Sequence, residues 1–173
     1  MIKYPITMPE ITEQDVAQVA AATRNDWFPN DNQSVYKFEQ AFARQVNRKY
    51  AIALPSCTSA IHLALAVLEL AHNDEVIVPD VTWIASAAPI AYIGATTILV
   101  DINLTNWCMD VQAFLQAITA NTKAVIVVDL YGSMPMWHEI IAIARDYNIF
   151  IIEDAAEALG SCLLYTSPSP RDS

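Results

Sequence analysis

A chain of 173 residues, 54% apolar and only 16% charged, can bury the core of about one domain, which excludes a disordered chain and a coiled coil. Nine Lys and Arg against nineteen Asp and Glu leave a formal charge of −10. A surface of that sign repels phosphate backbones and anionic headgroups, so neither nucleic acid nor a membrane is an expected partner.

In chain order, Met1 to Glu10 lack the apolar core of a signal peptide. Thr12 and Asp15 have the spacing of an N-cap and its third-position acid, and Val16, Val19, Ala20 and Thr23 continue at helical spacing to about Arg24. A polar loop from Asn25 to Gln33 follows; its Asp26–Asp31 stretch reads as a solvated loop with one buried aromatic, with an approach to the substrate as the alternative. Val35, Phe38, Phe42 and Val46 then mark a second helix with a core-facing stripe.

From Tyr50 the pattern changes to short apolar runs, Ala51–Leu54, Glu75–Val78, Thr97–Val100, Ala124–Val128 and Ile149–Ile152, which read as strands. Helical segments at about 58–71, 82–93, 110–119 and 135–147 separate them. Strands apolar on both faces and alternating with helices predict an α/β fold, a mostly parallel sheet covered by helices. The apolar stretch Trp83–Val100 is interrupted by Pro89 and Gly94 and reads as helix, turn and buried strand, not a membrane span. Cys162–Ser173 has no periodicity, and Cys162–Asp172 can be reverse-translated into codons resembling a transposase sequencing-library adapter. The domain is therefore expected to occupy residues 1–161 and a non-native tail 162–173.

The three glycines, Gly94, Gly132 and Gly160, stand far apart, which excludes a GxGxxG or Walker loop. Cys57, Cys108 and Cys162 form no CxxC pair, so neither a disulfide framework nor a metal site is predicted and a reducing cytoplasm is the expected location. Chemistry is expected beyond the carboxyl ends of the strands, where Asp80, Asp101, Asp129 and Glu153-Asp154 fall. Thr58 and Ser59 open a helix after a strand, a place that suits an anion or a plain cap. His62, one turn further, reads as a core histidine. Asp154 ends a very apolar strand and needs a permanent partner: a helix N-terminus, an arginine, a metal or a protonated ring nitrogen. Trp83 follows another strand end, placed either to cover a planar ligand or to fill the core.

Together, Ser56-Cys-Thr-Ser-Ala-Ile-His-Leu-Ala-Leu, Asp74-Glu-Val-Ile-Val-Pro-Asp-Val-Thr-Trp, Gly94-Ala, Asp101-Ile, Thr122-Lys-Ala-Val-Ile, Asp129-Leu-Tyr-Gly and Ile152-Glu-Asp-Ala-Ala-Glu-Ala resemble the DegT/StrS sugar-nucleotide aminotransferases, nearest to perosamine-synthase-like members. The resemblance runs from about Ile6 to Ser161. It implies the N-terminal part of the fold-type-I, aspartate aminotransferase-like large domain, pyridoxal 5'-phosphate as cofactor, glutamate as amino donor, a nucleotide-linked keto-sugar as acceptor, and a homodimer. By the same resemblance Thr58 and Ser59 take the cofactor phosphate, Trp83 stacks on its ring, Asp154 pairs with the ring nitrogen, and Glu157, one helical turn on, lies near the cofactor.

Cys57 stands where such proteins commonly have Gly, and reads as small filler. The Schiff-base lysine of the family would lie beyond Ser161. Lys3, Lys37, Lys49 and Lys123 are the only lysines, and none is placed for that role, so no catalytic residue is assigned within the chain. A lysine-less dehydratase of the same fold, and a non-catalytic relative or remnant, stay open beside the aminotransferase reading.

Overall fold

A computed structural model describes residues 11–26 and 32–159. The Trp27–Asp31 part of the polar loop and the proposed tail at 162–173 lie outside the described residues. The chain divides into two compact units, Met1–Ala53 and Leu54–Ser173.

In the first unit, helix α1 (Glu13–Asn25) opens on the predicted capping box: Asp15 N donates to Thr12 Oγ1 at 3.3 Å, and Thr12 N donates to Asp15 Oδ2 at 2.8 Å. Thr12 Oγ1 also donates to Asp15 Oδ2 at 2.7 Å, and this bond, with that from Thr12 N, holds the Asp15 carboxyl below its ordinary pKa. Helix α2 (Gln33–Gln45) forms where Val35, Phe38 and Phe42 recur, but the core-stripe expectation is corrected. Val35, Phe38 and Val46 are exposed, and Ala43 is the one buried residue of α2. The described part of this unit has no sheet of its own against which such a stripe could pack. The strand predicted at Ala51–Leu54 is also absent. The Ala53 N–H is spent on Glu39 Oε1 at 2.8 Å instead of a ladder, and Ile52 is exposed.

The second unit alternates helix and strand: α3 (Cys57–Val67), β1 (Glu75–Pro79), α4 (Ile84–Tyr92), β2 (Thr96–Val100), α5 (Val111–Ala117), β3 (Thr122–Val128), α6 (Trp137–Asp146) and β4 (Phe150–Asp154). The four strands form one parallel sheet in the order β2-β1-β3-β4. Helix α3 stops earlier than its apolar pattern because Glu69 turns to a left-handed φ of 52°. Gly94 does the same after α4 at φ 77°, a conformation that a side chain resists.

The pleat sorts the central strands onto two cores. Val76 and Val78 of β1 and Ala124 and Ile126 of β3 pack with Ile61 and Leu65 of α3 and Ile90 of α4. Ile77, Val125 and Val127, one step out of phase, pack with Phe114 of α5 and Trp137 and Ile140 of α6. Each such buried Val, Leu, Ile or Phe side chain contributes about 1.5–3 kcal/mol. This layering delivers the ends of β3 and β4 and the starts of α3 and α4 to one edge of the sheet.

Candidate functional site

Asp154 is the centre of that edge. Its register partner is Val128, so its side chain points to the α3–α4 face, and it is buried at 6% exposure. A carboxylate so placed must recover the hydrogen bonds it loses to water. Three donors supply them: Ser86 Oγ to Oδ2 at 2.6 Å, Cys57 Sγ to Oδ1 at 3.3 Å and Ala156 N to Oδ1 at 3.2 Å. Thr82 Oγ1 lies 2.8 Å from Ser86 Oγ. Because an ionised carboxylate only accepts, the chain of protons runs from Thr82 to Ser86 to Asp154.

Cys57 joins this group to the start of α3. Ser56 is the N-cap, in extended conformation, and its Oγ accepts from Ser59 N at 3.2 Å. Ala60 N donates to Ser56 O. Among the described residues no hydrogen bond takes the backbone N–H groups of Cys57 and Thr58, so the positive end of the α3 dipole keeps two donors available. The plain-cap reading thus belongs to Ser56, while Thr58 and Ser59 are half-buried in the first turn. Burial, reinforced by the Asp154 charge, pushes the Cys57 thiol up to about 11, so it is a donor and not a nucleophile.

Trp83 precedes this group in α4. Of the two placements open for it, core filling is excluded: its side chain is 75% exposed, because it is the N-cap of α4 and lies off the face that the helix buries through Ser86, Pro89 and Ile90. Its carbonyl accepts from Ser86 N at 3.0 Å, which fixes it one turn from Asp154's donor. Glu157 is not one helical turn on, since a turn and not a helix follows β4. It is exposed, and its Oε2 accepts from Tyr131 N at 2.8 Å, holding a residue with φ 51°. The structure therefore brings Thr58, Ser59, Trp83 and Asp154 to one edge through Cys57 and Ser86, and ties Glu157 to the segment after β3.

His62 is exposed on α3, edge-on to Tyr92 with ring centroids 5.6 Å apart, and not in the core. Lys123 is the second residue of β3, at the opposite, amino end of the sheet, and its Nζ donates to Ala120 O at 3.3 Å. Lys37 and Lys49 belong to the first unit.

Ser86 escaped the sequence reading, and so did the surroundings of Asp129, which was read only as one of the strand-end acids. Ser86, as Asp154's strongest donor, was signalled only by hydroxyls at positions 82 and 86, one turn apart in an otherwise apolar run. Asp129, the residue after β3, lies on the α5–α6 face at 1% exposure, and its Oδ1 has no hydrogen-bond partner among the described residues. Burial and the neighbouring Glu153 carboxyl push Asp129 up to about 8, against the Trp137 indole, which lowers it.

The profile of the DegT/DnrJ/EryC1/StrS aminotransferase family matches residues 9–164. GDP-perosamine synthase from Escherichia coli O157:H7 is 40% identical over 161 residues, which are 92% of this chain and 44% of that protein. The crystal structure of an aminotransferase from Psychrobacter cryohalolentis superposes with a TM-score of 0.82 at 31% identity, covering 89% of this chain and 40% of that one. An E. coli GDP-4-keto-6-deoxy-D-mannose-3-dehydratase with bound hydrated PLP gives a TM-score of 0.80 at 28% identity, over 89% and 41% of the two chains. The chain thus spans less than half the length of the curated relatives it matches. The fold is that of the fold-type-I aminotransferases. No helix among the described residues is long and apolar enough to cross a membrane.

Proposed function

The chain belongs to the DegT/DnrJ/EryC1/StrS aminotransferase family, and from that premise we propose that it is the amino-terminal part of a cytoplasmic, homodimeric, pyridoxal 5'-phosphate-dependent enzyme. That enzyme moves an amino group from glutamate to a nucleotide-linked keto-sugar. In this reading residues 1–161 belong to the cofactor-binding large domain and 162–173 are foreign to it. The observation that carries it is the buried Asp154 carboxylate, enclosed by donors from α3, α4 and its own turn, beside a helix start with two N–H groups that no described residue takes.

The donor set fits the cofactor's two demands. A phosphate dianion suits the N–H groups of Cys57 and Thr58, the α3 dipole and the Thr58 and Ser59 hydroxyls. A protonated pyridine nitrogen suits Asp154, whose charge holds that proton in place. Trp83, exposed at the start of α4, supplies a flat apolar face for the ring. When bound, the cofactor supplies the electron sink that lets a substrate C–H bond break. Glu157 holds the Tyr131 backbone at the border of the site. The proton shuttle requires a base that none of the four lysines provides, so the chain alone is expected to bind the cofactor without turnover.

The test is to sequence the source DNA across the Ser161 codon, express the continuous protein and incubate it with glutamate and a GDP-linked 4-keto-6-deoxyhexose. Formation of a 4-amino sugar with release of 2-oxoglutarate is the expected outcome. Likeness to the GDP-4-keto-6-deoxy-D-mannose-3-dehydratase favours one second reading: loss of the C3 oxygen without nitrogen transfer to the sugar would establish it in place of the first. No reaction with either would leave the non-catalytic reading.

A further inference from the structure

An ionised carboxylate offers about four lone-pair directions, two on each oxygen. On Asp154, Cys57 Sγ and Ala156 N occupy both of Oδ1, and Ser86 Oγ occupies one of Oδ2. One direction, on Oδ2, is left. Two of the three donors are side chains from separate helix starts, so the carboxylate is clamped on both oxygens and cannot rotate without breaking a bond. We propose that Cys57 is a positioning residue: by saturating Oδ1 together with Ala156 it fixes the Asp154 plane and reserves Oδ2 for an N–H donor of a bound heteroaromatic ring. Only the ring-binding clause rests on the cofactor reading above; the link between Cys57 and Asp154 stands apart from it.

The position chooses its residue type on physical grounds. Glycine would supply no donor. A thiol is a weak one, but its long C–S bonds let it cross from α3 to β4 at 3.3 Å. Its elevated pKa keeps the proton on sulfur throughout the physiological range, so the donor is never lost to ionisation.

Two measurements on the 173-residue chain test this separately. The first is thiolate absorbance against pH, with the Cys57→Ser spectrum subtracted to isolate Cys57. The parent is expected to titrate near 11, and Asp154→Asn to bring the midpoint down by about one unit as the adjacent charge disappears. A parent midpoint at the ordinary thiol value, or no change in a folded Asp154→Asn chain, would overturn the proposal. Should Asp154→Asn fail to fold, the same comparison is made with Asp154→Ser, where an unchanged midpoint would overturn the proposal equally.

The second is binding of pyridoxamine 5'-phosphate and of its 1-deaza analogue, which lacks the ring nitrogen. Cys57→Ala is expected to weaken the first about fivefold, to leave the second unchanged, and to be rescued by Cys57→Ser. Equal losses for both ligands, or none for either, would overturn it. Absence of binding by the parent would sink the cofactor reading and its ring-binding clause, leaving the Cys57–Asp154 link to the titration.

Discussion

Two carboxyl groups at the same edge of one sheet meet opposite fates. Asp154 ends β4 and Asp129 follows the end of the neighbouring β3, and the Asp129 backbone N–H donates to the Asp154 carbonyl at 3.1 Å. Both side chains are almost fully buried. The pleat sends Asp154 to the α3–α4 face, where three donors converge on it. It sends Asp129 to the α5–α6 face, beside another carboxyl and with one oxygen unpartnered. Helix starts bring donors and a positive dipole, whereas α5 and α6 present mostly apolar side chains. An acid at a strand end is thus clamped by donors or left to hold a proton according to which face it is given.

The largest effect should come from breaking the first group. Asp154→Ala leaves Ser86 and Cys57 without their acceptor and is expected to destabilise the fold by roughly 2–4 kcal/mol in urea unfolding. Asp154→Asn, close in shape, is expected to lose pyridoxamine 5'-phosphate binding at least tenfold by fluorescence titration, while Asp129→Asn retains it. Equal losses would erase the distinction between the two faces.

The second face has its own signature in pH. With its folded pKa raised to about 8 from 3.8, Asp129 binds a proton in the folded state that the unfolded chain has released. Its contribution is therefore fully present below about 4 and is lost as pH rises through about 8. The groups facing it are Glu153, which raises its pKa through charge and hydrogen bonding, the Asp154 charge, which also raises it, the Trp137 indole, which lowers it, and the Cys108 thiol. Asp129→Asn is expected to flatten the fall in melting temperature between pH 6 and 9 and to melt higher than the parent at pH 9. A parent whose melting temperature is level over that range would contradict a protonated Asp129.

A smaller effect falls on the α3 start. Ser56→Ala removes the acceptor of the Ser59 N–H and should cost about 1 kcal/mol in denaturant unfolding. Smallest of all is Glu157→Gln, which keeps an acceptor for Tyr131 N and is expected to stay within about 0.5 kcal/mol of the parent.

The sheet was legible because β1 and β3 are apolar on both faces, a pattern that only burial between two helical layers explains. The edge strands, the position of Asp154 at the end of β4 and that of Trp83 after β1 followed from the same alternation, whereas no strand precedes Thr58 and Ser59 among the described residues. What the pattern could not carry was direction. It did not say that Asp154 and Asp129 face opposite ways, which depends on strand register, nor that Ser86, 68 residues before Asp154, would close on it. The Ala51–Leu54 strand failed for a related reason: apolar residues license a strand, but a neighbour must take its hydrogen bonds, and Glu39 took one of them. For Trp83 the pattern left ligand cover and core filling open, because hydrophobicity says nothing of a helix cap; its exposure at the start of α4 removes the core alternative.

The central claim is that the α3 start and Asp154 form one ligand site. Amide chemical shifts of the 15N-labelled chain, followed during titration with pyridoxamine 5'-phosphate, test it most directly. Saturable shifts at Cys57, Thr58, Ser59 and Ala156, with Thr122, Lys123 and Asn148 at the far end of the sheet unmoved, are the predicted result. Shifts confined to the Lys123 end, or none at Thr58 and Ala156 at saturating ligand, would contradict it.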